Sequence, residues 1–339
     1  MKNIHPLGID LPYSDSIPIY RKFQKLTLTF LLLLTFSFVS AQTFVLDSLK
    51  YTAIDSSNIM VEKAGNCPTG ELNIPNTVID PNTNMQYTVR SIADTAFALC
   101  SAITSISIGD SLNNIGISAF YGCASLVTLS IPDSLTSIGE GAFEGCSSLD
   151  SINIPNSVTT IGEGAFASCS GLTSVAFGDS ITSIGKSAFA ACSSLDSISI
   201  PNSVTTIGDS AFAACSALTT AAIGDSVSTI GNEAFEECIA LESISIPNSV
   251  TSIGDAGFKS CSALTSAAIG DSVSNIGDAA FKSCSALDSI SIPKSVTNIG
   301  QDAFASCSAL TEVSVSWDTP LMITADVIIN GVSQLTDTS

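Results

Sequence analysis

The fold class that the sequence predicts is a solenoid of stacked 23-residue coils, with a parallel β-sheet on one face and short helices or 3-10 turns on the other. Two columns of residues and one change of period predict it. Phe97, Phe120, Phe143, Phe166, Phe189, Phe212, Phe235, Phe258, Phe281 and Phe304 are each 23 residues apart. A cysteine follows each of them by three residues, from Cys100, Cys123 and Cys146 through to Cys284 and Cys307. A fixed period of roughly 20 to 50 residues marks one small unit that cannot bury its apolar face alone and so stacks on its copies.

The change of period lies inside the unit, read here from Leu195 to Ala217 (LDSISIPNSVTTIGDSAFAACSA). Leu195, Ile198 and Ile200 point inward from a segment that ends in strand-like alternation. Pro201-Asn202-Ser203 is turn chemistry that stops it. Val204 and Ile207 direct a second short stretch back at the core, and Gly208 is read as a flexible corner. Ala211, Phe212 and Cys215 have the spacing of one helical face, which predicts a turn or two of helix opposite the strand. Stacked strands about 4.8 Å apart place Phe on Phe and Cys on Cys, in a rod roughly 50 Å long.

Along the chain, residues 1–41 read as a signal peptide. Arg21, Lys22 and Lys25 precede an apolar run from Leu26 to Val39, then the small-residue site Val39-Ser40-Ala41. The run is shorter than the ~18 apolar residues needed to span a bilayer. Without residues 1–41 the chain has 7 basic and 29 acidic residues, a net charge of −22, and it loses its one histidine, His5. Such a chain is unsuited to nucleic acid or anionic lipid, and to any mechanism that needs imidazole.

Residues 43–91 read as an N-terminal cap. Leu72 to Val78 follows the repeat, but Asp80-Pro81-Asn82-Thr83-Asn84 and Met85 to Val89 add a turn and a strand, so a modified repeat with a hairpin is expected. The regular array occupies 92–315. From Pro155 onward, Pro155-Asn156, Pro201-Asn202, Pro247-Asn248 and Pro293-Lys294 alternate with Gly178-Asp179, Gly224-Asp225 and Gly270-Asp271, a second period of 46 residues.

The pattern L-x-x-I-x-I-P-x-S-V-x-x-I-G-x-x-A-F-x-x-C, from Leu195 to Cys215, resembles the BspA-type leucine-rich repeat, and the resemblance covers about Leu72 to Val315. It implies the leucine-rich-repeat horseshoe. It also implies a bacterial or protist surface protein associated with adhesion to host proteins or other cells, with no shared catalytic residues. In the closing segment, 316–339, the ladder lapses: Val327 and Asn330 stand where Phe and Cys are due. Trp317, Pro320, Leu321 and Ile323 read as a C-terminal cap. No wall-sorting motif, final membrane stretch or extra domain follows, as in a freely secreted or truncated chain.

Eleven cysteines in an exported chain suggest disulfides. Their register with Phe suggests instead buried thiols acting as small hydrophobes. Neighbouring Cα atoms about 4.8 Å apart leave pairing open on distance alone, although parallel side chains seldom meet. A line of cysteines without C-x-x-C is a poor zinc site. Cys67 lies outside the ladder and is the candidate for a different role.

Asp110, Asp133, Asp179, Asp225 and Asp271 fall in the turn after the strand. Glu140, Glu163, Asp209, Asp255, Asp278 and Asp302 fall where a helical turn would begin, a place that suits carboxylates. Calcium between coils lacks a recognised ligand spacing. The tripeptide Asp-Ser/Thr-apolar, as at Asp94-Thr95-Ala96, Asp110-Ser111-Leu112, Asp133-Ser134-Leu135 and Asp179-Ser180-Ile181, looks like an O-glycan acceptor pattern of some secreted bacterial proteins; an Asp-Ser turn explains most copies.

The expected binding face is the outer side of the sheet. It carries Ser174, Ser197, Ser199, Thr220, Ser243, Ser245, Ser289 and Ser291, with Asp150, Asp196, Glu242 and Asp288 beside them at 46-residue spacing. Lacking Trp, Tyr and Arg anchors, such a face suits weak multivalent contact with a repetitive or basic partner. Three functions compete: a secreted or surface adhesion module for an extracellular protein or glycan of host matrix or another cell, an envelope spacer without a ligand, and a carboxylate glycoside hydrolase. The first is preferred and no cofactor is expected. An enzyme is disfavoured because no carboxylate pair stands out from its equivalents.

Overall fold

The structure is a computed structural model and describes residues 42–315 and 335–337. The signal-peptide reading of 1–41 and nearly all of the closing segment 316–339 fall outside the described residues.

At the N-terminal end, β1 (Thr43–Leu46), β2 (Leu49–Ala53) and β3 (Asn58–Lys63) form an antiparallel meander. Asp47 and Ser48, with φ of 50° and 66°, make the tight turn between the first two. Next come β4 (Gly70–Ile74), β5 (Thr77–Ile79) and β6 (Gln86–Ile92). The last two form a hairpin, and β6 lies parallel to β3. The hairpin turn is organised by the fully buried Asp80, whose carboxylate accepts from the Asn82 amide at 2.8 Å and the Thr83 hydroxyl at 2.9 Å.

From there each coil contributes to two parallel ladders. The wide ladder takes the predicted strands, such as Ser197–Ser199, Thr220–Ala222 and Ser243–Ser245. The narrow ladder takes the second short stretch, as in Ser183–Ile184, Thr206–Ile207 and Thr229–Ile230. Among the described residues the narrow ladder continues β1–β2–β3–β6 into one 14-stranded sheet. The wide ladder runs in three pieces of three, two and seven strands, the last ending with Leu335–Asp337 beside Glu312–Val315.

The expected horseshoe, with short helices or 3-10 turns opposite the sheet, is not what forms. No described residue is helical, and the solenoid is all-β with turns. The segment around Phe212 shows why. Ser210 and Ala214 adopt φ of 53° and 58°, so the chain leaves the right-handed region once per turn. The amides of Ala211, Ala213 and Cys215 donate three residues back, to Gly208, Ser210 and Phe212. Those between them, from Ser210, Phe212 and Ala214, donate along the axis to Asn232, Ala234 and Glu236 of the next coil at 2.7–2.8 Å. A helix would send every amide four residues back within its own coil. Here half of them knit neighbouring coils, which offsets the roughly 1–2 kcal/mol cost of each left-handed residue.

Gly208 is likewise no flexible corner. A Cβ there would lie 2.7 Å from the Lys186 amide nitrogen and 2.8 Å from the Gly185 carbonyl carbon. Bare backbone is required because adjacent coils touch. The Gly-Asp corners of the 46-residue period make the same kind of close contact. A Cβ on Gly224 would come within 2.7 Å of the Pro201 carbonyl carbon, and one on Gly270 would meet Pro247 in the same way. Each Gly-Asp corner is thus shaped to receive the Pro-Asn corner of the preceding coil.

The core is a stack of buried rings, Phe97 to Phe304, with centroids 5.2–5.6 Å apart and planes within 14° of parallel. Free buried thiols are found at Cys123 and at every later cysteine of the column. Each donates to the carbonyl of the Phe in the preceding coil, as Cys215 does to Phe189 at 3.2 Å. Cys100 departs from the column: it is joined to the exposed Cys67 in a disulfide, so this first position of the ladder is not a free thiol.

Burial pushes the thiols up from their ordinary 9.0, to about 11 at Cys123 and about 12 at Cys169, Cys215 and Cys261. Folding therefore favours the protonated form. The stabilisation is complete below the unfolded pKa and declines as pH rises from about 9 towards 12. Thermal unfolding followed from pH 7 to 11 should show a falling Tm above pH 9, and replacing Cys215, one of nine buried free thiols, by Ala should lessen that decline by only a small share. A Tm that stays level between pH 9 and 11 would refute the linkage.

Candidate binding face

The wide ladder presents the sheet face that the sequence singles out. Alternation turns Ile198, Ala221, Ile244, Ala267 and Ile290 inward, all buried, and their neighbours outward. Every residue proposed for the face is exposed: Ser174, Ser197, Ser199, Thr220, Ser243, Ser245, Ser289 and Ser291 on the strands, and Asp150, Asp196, Glu242 and Asp288 just before them.

The acids form a row because the positions between them are threonines. Thr173, Thr219 and Thr265 donate through Oγ1 to the carbonyls of Asp150, Asp196 and Glu242 at 3.0–3.1 Å, which pins the strand starts together. Two coil spacings place successive carboxylates about 9.5 Å apart. Ser197 and Ser289 donate to the carboxylates of Asp196 and Asp288 at 3.0 and 2.9 Å, so half of the row has a fixed side-chain orientation.

Two shallow depressions lie on this face. One of about 460 Å³ runs over Ser197, Thr220 and Ser243; the other, about 580 Å³, runs over Ser243, Ser266, Ser289 and Glu312. Glu312 was missed in the sequence, although it stands 23 residues after Ser289 and occupies the same outward position. Regular strand pairing lapses between Ser174–Phe177 and Ser197–Ser199, although the narrow ladder and the ring stack continue through the same two coils. At the N-terminal end a further depression of about 580 Å³ lies between the β1–β2 turn and β4, lined by Leu46, Tyr51, Leu72 and Val78.

The other acidic column behaves differently from its reading as helix-start carboxylates. With no helix to cap, Asp209, Asp255 and Asp278 accept amides from the next coil, those of Asn232, Asp278 and Gln301, at 2.6–2.8 Å. These carboxylates are part of the stacking. Among the described residues no group of three or more His, Cys, Asp or Glu is placed to hold a metal ion, and no helix is long and apolar enough to cross a membrane.

Solved structures with similar coils include a leucine-rich repeat protein from Bacteroides ovatus, 26% identical, covering 80% of this chain and 94% of that one with a TM-score of 0.44. A leucine rich cell surface protein from Faecalibacterium prausnitzii is 28% identical, covering 82% and 89%, with a TM-score of 0.48. The pneumococcal vaccine antigen PcpA is 19% identical, covering 81% and 82%, and its TM-score of 0.55 supports a shared fold. A search of curated proteins gives no match. The family described as BspA type leucine rich repeat region matches in six copies over residues 76–196 and 182–311, well over half of the chain. Its repeat is the one that builds these helix-free coils, and the chain belongs to the BspA-type leucine-rich-repeat family.

Proposed function

We propose that this is a secreted or cell-surface adhesion module that binds an extracellular protein or glycan through the outer side of its wide ladder. The observation that carries the reading is an exposed lawn of Ser, Thr and Ala with a carboxylate at every second coil. Membership of the BspA-type family favours adhesion over catalysis. The Cys67–Cys100 disulfide favours an oxidising, extracellular setting. Residues 43–91 and 316–339 are proposed as the end caps of the array.

Single contacts on such a face are weak, since it has no aromatic or arginine anchor. Repetition compensates: a partner with its own repeated basic or hydroxylated groups engages several coils at once. Residues 42–339 should bind one or more members of an array of matrix proteins and glycans, less tightly as salt rises. Replacing Asp150, Asp196, Glu242 and Asp288 together by Ala should weaken binding at least tenfold while leaving thermal unfolding within a few degrees. Binding indifferent to that substitution would remove the acid row from the site. The near-identity of the coils favours a second reading, a spacer without a ligand, which a blank array with folded protein would support.

A further inference from the structure

The corner that follows each wide-ladder strand carries a serine in both kinds of coil, yet the serines differ. In the Pro-Asn coils the hydroxyls of Ser157, Ser203 and Ser249 are buried without a partner. In the Gly-Asp coils Ser180, Ser226 and Ser272 are exposed, and no described residue bonds to their hydroxyls. Each sits in an Asp-Ser-apolar tripeptide whose parts are separable in the structure. The apolar member, Ile181, Val227 or Val273, is fully buried and serves the core. The Asp amide is held at 2.8 Å by the Asn side chain of the preceding coil, which makes the corner rigid. The Asp carboxylate makes no hydrogen bond or ion pair with any described residue. The fold thus accounts for the first amide and the third side chain of each tripeptide. It makes no use of the carboxylate or the hydroxyl.

We propose that Ser180, Ser226 and Ser272 are acceptors of O-linked sugar, a row of three modification sites on the corner beside the sheet. Successive acceptors stand two coils, about 9.5 Å, apart, and the Pro-Asn coils between them present no exposed corner serine. The free carboxylate one residue before each hydroxyl is the recognition group for the transferring enzyme. Sugar fits better than phosphate, because a dianion placed next to Asp179, Asp225 or Asp271 would add to a net charge that is already strongly negative. In the transfer, the serine Oγ forms a bond to the anomeric carbon of a nucleotide- or lipid-linked sugar. The bond from that carbon to the donor phosphate breaks, the phosphate leaves with the electron pair, and the hydroxyl proton passes to a base of the transferase. The glycans would border the proposed adhesion face, but the assignment does not depend on that face binding anything.

The test is the intact mass of the protein recovered from the cells that naturally produce it, with peptide mapping. The expected result is a mass above that of the bare chain by whole sugar increments, located on the peptides bearing Ser180, Ser226 and Ser272. Replacing all three by Ala should remove those increments, replacing them by Thr should retain them, and neither change should alter thermal unfolding. A bare mass, or increments that persist on the triple Ala protein, would overturn the proposal.

Discussion

Gly254→Ala is expected to destabilise the array by about 3 kcal/mol, the upper end of what overpacking a tight contact costs. An added Cβ would lie 2.5 Å from both the Asn232 amide nitrogen and the Gly231 carbonyl carbon. These are backbone atoms fixed by ladders on both sides, as in the pairing of Ser252–Ile253 with Thr229–Ile230. No rotamer relieves the clash, so the coils must separate, and inter-coil hydrogen bonds lengthen with them. Gly145→Ala is the instructive contrast. It has room, with its nearest neighbour at 3.6 Å, but φ is 73°. Ala214 occupies the equivalent place at 58°, so this change should cost about 1–2 kcal/mol. Urea denaturation of both variants checks the pair. Gly254→Ala within about 0.5 kcal/mol of the parent, the usual range for an inert surface change, would mean that the coils are not packed backbone to backbone.

Phe212→Ala should cost about 3–5 kcal/mol. The ring lies between Phe189 at 5.6 Å and Phe235 at 5.3 Å, nearly parallel to both, and is fully buried. Its removal leaves a void that the coils cannot close, because the two ladders hold their spacing. In a linear array the loss need not unfold everything, since each coil is stabilised mainly by its neighbours. Limited proteolysis should therefore produce new cuts near coil 195–217 before the ends of the array are lost, and calorimetry should show a broadened transition. A sharp transition at the parent Tm would show that the ring stack contributes little.

Much of this fold was legible in the sequence. The Phe and Cys columns identify the stacked core, and the alternation at Ile198 and Ile200 identifies a strand with one buried face. Because period 2 decides which side chains point out, the proposed face could be named residue by residue. The Asp80–Asn84 turn and its hairpin were visible from turn chemistry. Around Phe212 the spacing of Ala211, Phe212 and Cys215 does mark one shared inward face, but not a helix. The opposing signal lay in other coils, where Gly141, Gly145 and Gly164 stand in the columns of Ser210 and Ala214 with φ of 57–73°. Glycine recurring there marks left-handed backbone, which a helix cannot contain.

The Cys67–Cys100 bond was also out of reach. Cys100 looks identical to the other ladder cysteines, and only the path of the chain before β4 brings Cys67 within 5.1 Å of its Cα. The alternation of Pro-Asn with Gly-Asp was visible as a 46-residue period, but the close approach of each Gly corner to the corner before it was not, because it is a contact between successive coils.

Sequence periodicity alone determined which side chains are inside, since each copy can bury its apolar residues only against the next. Tertiary structure decided where the backbone amides go. An amide carries no side-chain signature, and whether it bonds within its own coil or along the stack depends on how closely the neighbouring coil approaches. In this chain that approach, permitted by bare glycine backbone, converts predicted helices into turns tied from coil to coil.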